Sequence, residues 1–84
     1  MAYEVRVKRS AEKEFKNLPE QMKRRIGEAL TALGDNPFPN NVKKLQNRDD
    51  YRIRVGDYRV LYSVNESEKK INVSAIGHRK DVYR

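Results

Sequence analysis

Residues 51–62 read Tyr-Arg-Ile-Arg-Val-Gly-Asp-Tyr-Arg-Val-Leu-Tyr, and no other stretch constrains the fold as tightly. Apolar and basic residues alternate with period two, the mark of a strand with one buried face. Gly56-Asp57 interrupts the alternation as a two-residue loop, and a leading Gly suits a type II′ turn. That loop predicts a hairpin register of Val55 facing Tyr58, Arg54 facing Arg59, Ile53 facing Val60 and Arg52 facing Leu61. One face then carries Tyr51, Ile53, Val55, Tyr58, Val60 and Tyr62; the other carries Arg52, Arg54, Arg59 and Leu61. Like charges directly opposite each other on a sheet are destabilising. Setting Arg54 against Arg59 gives the fold nothing, so the arrangement points to an anionic ligand.

The rest of the chain supplies partners for this hairpin. Residues 2–8 alternate as a first strand, with Tyr3, Val5 and Val7 on one side. Ser10 is placed to cap a short helix with Ala11, Phe15 and Leu18 on one stripe, although Lys13 stands where a capping box needs Glu or Gln. Pro19 ends that helix and suits the first position of the next. Over residues 19–33, Met22, Ile26, Ala29, Leu30 and Leu33 recur at three- and four-residue steps, an amphipathic helix, and Gly34 is its expected C-cap. A Pro- and Asn-rich loop follows, then a short edge strand at residues 42–45. After the hairpin, residues 65–70 form a polar turn and residues 71–76 a last strand. There Ile71, Val73 and Ala75 are expected on one face and Asn72, Ser74 and Ile76 on the other.

The order strand, helix, helix, then three or four strands predicts a single α+β domain over residues 1–84. A two-helix hairpin packs on one face of a small, mostly antiparallel sheet. The opposite face, with the arginines, stays open. At 84 residues the chain suffices for one small domain. Its mean hydropathy of −1.01 alone raises the question of disorder, and the clean periodicities answer it.

Nineteen Lys and Arg against 12 Asp and Glu give a net charge of +7, suited to a polyanion such as RNA, DNA or an acidic protein segment. With no Cys and one His, disulfides are excluded and good metal ligands are scarce. The four glycines are scattered, so there is no phosphate-binding glycine loop, and no cofactor is expected. There is no apolar run of membrane-spanning length and no signal-peptide pattern, which leads us to expect no membrane partner and a cytoplasmic location.

Guanidinium groups bind phosphate bidentately and stay charged at physiological pH. A cluster of them can hold an RNA backbone and stabilise the extra charge of a pentacoordinate phosphorane. Cleavage without metal then requires a base to activate the ribose 2′-hydroxyl. The candidates are His78, which titrates near 6.5 when unperturbed, and a Tyr whose pKa is lowered by arginines. Tyr51, Tyr58 and Tyr62 fall on the core face, where packing with a hydrogen-bonded hydroxyl is the stronger reading. Tyr83 lies in a charged segment without apolar periodicity. Lys43, Lys44 and Arg48 flank the hairpin and add general attraction for RNA, as does Lys80 beside His78.

The 51–62 hairpin, followed by Ile76-Gly77-His78-Arg79-Lys80-Asp81-Val82-Tyr83, resembles the RelE family of toxin–antitoxin toxins over nearly the whole chain. The resemblance implies a βααβββ-type fold. It implies an endoribonuclease that cleaves messenger RNA in the ribosomal A site through the 2′-hydroxyl, leaving a 2′,3′-cyclic phosphate. It also implies a RelB-like antitoxin in a hetero-oligomer. By position, Arg52 and Arg54 match the family's phosphate-binding strand residues, and Arg59 the arginine that stabilises the transition state. Arg79 matches the arginine that stabilises charge or assists the leaving group, and Tyr83 the general base or base-stacking tyrosine. Lysines are common at the two strand positions; arginines here keep the charge but effectively cannot transfer protons. Proton transfer is thereby left to Tyr83 and His78. Two alternatives share the fold: a ParE-type toxin that inhibits DNA gyrase by binding, and a non-catalytic RNA-binding module.

Overall fold

A computed structural model describes residues 2–45 and 50–78. The elements run β1 (Glu4–Val7), α1 (Arg9–Lys16), α2 (Glu20–Asp35), β2 (Lys43–Lys44), β3 (Asp50–Val55), β4 (Tyr58–Asn65) and β5 (Lys70–His78). The five strands form one sheet in the order β1-β5-β4-β3-β2. Every pairing is antiparallel except β1 with β5, which run parallel from Glu4↔Lys70 to Val7↔Val73. The α+β architecture and the placement of β4 near the centre agree with the sequence reading.

Both helices lie on one face of this sheet, with α1 against β5 and α2 against β1 and β3. Between the layers sit Ala11, Ile26, Leu33, Ile53, Val60, Tyr62, Ile71, Val73 and Ile76, all buried. Ile26 and Leu33 come from the predicted α2 stripe, and Met22, Ala29 and Leu30 pack at its margin. No described helix is long and apolar enough to cross a membrane.

Three local expectations are corrected. Helix α1 begins at Arg9, one residue before Ser10, and its N-cap Lys8 makes no side-chain cap hydrogen bond. Pro19 is the N-cap of α2 rather than its first residue. Gly34 does not terminate α2: it is buried within the helix, which ends at Asp35 with Asn36 as C-cap. The Gly34 carbonyl accepts a hydrogen bond from the Tyr3 N–H at 2.9 Å, so lack of a side chain there lets β1 approach the helix end.

The larger correction concerns β5. Leu61 pairs with Ala75 but Tyr62 pairs with Val73, so Ser74 is an extra residue in a β-bulge. Its hydroxyl donates to the Leu61 carbonyl at 3.3 Å. The bulge reverses the alternation beyond it. Ile76, assigned by period-two reading to the face away from Ile71 and Val73, is buried in the core with them. Ala75, assigned to the core face, lies opposite Leu61 on the other side.

Tyr62 is the largest fully buried side chain. Its hydroxyl donates to the Pro37 carbonyl at 2.6 Å, fastening the loop after α2 to the sheet. Burial pushes this phenol up to about 12, and the neighbouring Tyr51 adds to the effect. Unfolded tyrosines titrate near 10. The folded state therefore holds this proton more tightly, and the associated stability is complete below about pH 10 and lost as pH rises through 12. At neutral pH, Tyr62→Phe is expected to cost about 1 kcal/mol for the lost hydrogen bond. As pH approaches 12 the deficit should vanish and then reverse, because the wild type alone must ionise a buried phenol. Urea melts of both proteins at pH 7 and in alkaline buffer measure this; a constant difference would contradict it.

Candidate nucleic-acid interface

The β3–β4 hairpin has the predicted register, from Tyr51↔Tyr62 through Arg54↔Arg59 to Val55↔Tyr58. Gly56 has a φ of +60° and Asp57 does not share the left-handed region, as a type II′ turn requires. A two-residue loop makes Val55 and Tyr58 the hydrogen-bonded pair that closes the hairpin. Alternation then makes Arg54 and Arg59 a non-hydrogen-bonded pair, the kind whose side chains stand closest. The like charges are accommodated in part by Arg54, whose Nε donates to the Gly56 carbonyl at 3.1 Å and so turns back towards the loop.

On the face away from the helices, Lys43 pairs with Arg52, which pairs with Leu61. The next row is Arg54, Arg59 and Gly77. Gly77 puts no side chain beside Arg59. Asn41, Lys43, Arg52, Arg54 and Arg59 line a concavity of about 290 Å³. Arg54 is exposed, whereas Arg52 and Arg59 are half-buried, and Leu61 beside them on this face is buried.

The structure thus brings together Arg52, Arg54, Arg59 and Lys43. It does not bring Lys44 or His78 to them. Lys44 pairs with Tyr51, so strand alternation turns it to the helix side. His78 pairs with Tyr58, and the two rings meet edge to face with centroids 5.5 Å apart, again on the helix side. The Ser74 bulge is the reason: it sets Gly77 rather than Ile76 opposite Arg59 and so turns His78 to the helix side. Arg48, Arg79, Lys80 and Tyr83 lie outside the described residues. The last described residues of β5, Gly77 and His78, lie beside Arg59 and Tyr58.

Sequence reasoning missed Asn41. It lies in the turn closed by the Val42 N–H donating to the Pro39 carbonyl at 3.0 Å, and its Nδ2 reaches the Arg54 carbonyl at 3.4 Å. Its loop position gave no periodic signal; only the pairing of β2 with β3 carries it to the arginines. Among the described residues, no three His, Asp or Glu side chains converge as a metal site.

A two-helix layer on one face of a five-stranded sheet, with a basic concavity on the other, defines a small α+β domain built to meet an anion. Residues 5–83 match the model of the ParE toxin of type II toxin–antitoxin systems. The chain belongs to this family, within the RelE/ParE superfamily of toxins. It is 30% identical to a Methanocaldococcus jannaschii protein named as toxin RelE1, over 100% of this chain and 98% of that protein. Among solved structures it is similar to the archaeal RelE–RelB complex of Pyrococcus horikoshii, with a TM-score of 0.87, 35% identity, and coverage of 98% of this chain and 100% of that one. The intact Escherichia coli RelBE toxin–antitoxin complex gives a TM-score of 0.80 at 25% identity, covering 92% of this chain and 96% of that one.

Proposed function

We propose that this toxin is a ribosome-dependent endoribonuclease that cleaves messenger RNA in the A site. The observation that carries the reading is the concavity in which Arg52, Arg54 and Arg59 converge with Lys43, beside a residue without a side chain. In the reaction, the ribose 2′-oxygen bonds to the adjacent phosphorus while the bond from phosphorus to the 5′-oxygen breaks, leaving a 2′,3′-cyclic phosphate. The 2′-hydroxyl proton passes to a base and the departing 5′-oxygen gains one. Arg54 and Arg59 hold the non-bridging oxygens and stabilise the charge of the phosphorane, where a donor aimed at developing charge contributes most. Arg52 and Lys43 orient the neighbouring backbone. Family resemblance assigns the proton steps to Tyr83 and leaving-group assistance to Arg79. His78, held against Tyr58 on the far face, is not part of this arrangement.

The same reading gives the chain a RelB-like antitoxin that neutralises it, supported by its likeness to toxins solved as RelE–RelB complexes. Mapping messenger RNA ends after brief induction tests the enzymatic claim. New ends should fall within translated reading frames and disappear when initiation is blocked. The matching family model is described as a ParE toxin, which keeps gyrase inhibition as a second reading. Loss of supercoiling activity by purified gyrase, without new RNA ends, would establish that alternative instead.

A further inference from the structure

The side chains that line the concavity divide into two chemical kinds. Lys43, Arg52, Arg54 and Arg59 carry only donors, which suit phosphate oxygens and, among base edges, the paired acceptors of guanine. Among the described lining residues, Asn41 is the one whose side chain also brings an acceptor. An adenine edge presents a donor beside an acceptor, which a side-chain amide can match with both of its groups and a guanidinium or ammonium cannot. One Asn41 N–H is directed to the Arg54 carbonyl, which leaves Oδ1 and the second N–H as an adjacent acceptor and donor.

Its support is pre-organised. The turn at residues 39–42 is closed by the Val42–Pro39 hydrogen bond. The Asn36 Oδ1 accepts from the Phe38 N–H at 3.1 Å, and the buried Tyr62 hydroxyl holds Pro37. Beyond the two-residue β2 the outer edge of β3 has no strand neighbour, and Asn41 occupies that edge at Arg54. It is therefore held at the backbone of Arg54, lining the same concavity as the charge cluster.

From this placement we infer that Asn41 reads the base next to the scissile phosphate, with an adenine-type edge, donor beside acceptor, as its preferred partner. The inference rests on the ribonuclease reading above. The test compares wild type, Asn41→Ala and Asn41→Asp in a translating extract, with cleavage mapped at nucleotide resolution and sorted by flanking base. Wild type should favour adenine at one flanking position, and Asn41→Ala should flatten that preference by about tenfold, the discrimination of one bidentate contact. Asn41→Asp, which keeps the shape but loses the N–H donors, should also lose it. Superimposable base profiles, or a uniform fall in rate at every site, would overturn the inference while leaving the nuclease reading intact. No cleavage by wild type would overturn both. Thermal melts of the variants within a few degrees of wild type show that the loop remains folded.

Discussion

With Arg59→Ala, growth arrest on induction is expected to disappear while the protein still co-purifies with its antitoxin. Arg59 stands at the meeting point of the site, directly across from Arg54 on one side and Gly77 on the other. Removing a single well-placed donor to a developing negative charge typically lowers a rate by about 10²–10³, or roughly 3–4 kcal/mol of transition-state stabilisation. Arg59→Lys should fall between the two, because an ammonium keeps the charge but not the planar fork that grips two oxygens. The antitoxin comparison separates a lost reaction from a lost fold. A variant that remained fully toxic would remove Arg59 from the site.

The largest effect on stability is expected from Ile26→Ala. Ile26 is fully buried on α2 and lies in the single core cluster with Ile53, Val60 and Tyr62. Truncation removes apolar burial and leaves a cavity that a helix pinned at both ends cannot fill, which typically costs about 2–5 kcal/mol. A domain of this length has only about 4–13 kcal/mol in total at the usual stability per residue. The melting temperature should drop by about 8–40 °C, taking about 4–8 °C per kcal/mol. A drop of under about 3 °C would mean that the two layers collapse readily into the vacated space.

What could be read in the sequence depended on how local its cause was. The hairpin register was legible because the turn residues and the alternation beside them are set within a dozen positions, and both demand the same pairing. The basic face followed from that alternation alone. The outer half of the site was not legible for the same reason inverted. Alternation fails at Ser74, where one unpaired residue reverses every later side chain, and nothing in Val-Ser-Ala announces a bulge. His78, singled out as a base candidate beyond the expected end of the last strand, instead lies within β5, and the sheet turns it away from the arginines. Lys44 belongs to a two-residue strand, too short to show a period. Gly34 looked like a helix stop by composition, but its contact with Tyr3, 31 positions earlier, keeps it inside the helix. Asn41 joins the site only through the tertiary course of its loop.

The position of β5 also has a consequence for the birth of the molecule. This strand is inserted between β1 and β4, so the first strand pairs only with residues 70–73, more than sixty positions later. Contacts this distant in sequence slow folding, since a long loop must be ordered before they reward it. During synthesis, the hairpin and the two helices can form as the chain emerges, but β1 has no strand partner until the stretch from Lys70 onward is free. Until then the apolar side of the sheet is incomplete, and the core between helices and sheet closes only once the stretch from Lys70 to His78 has arrived.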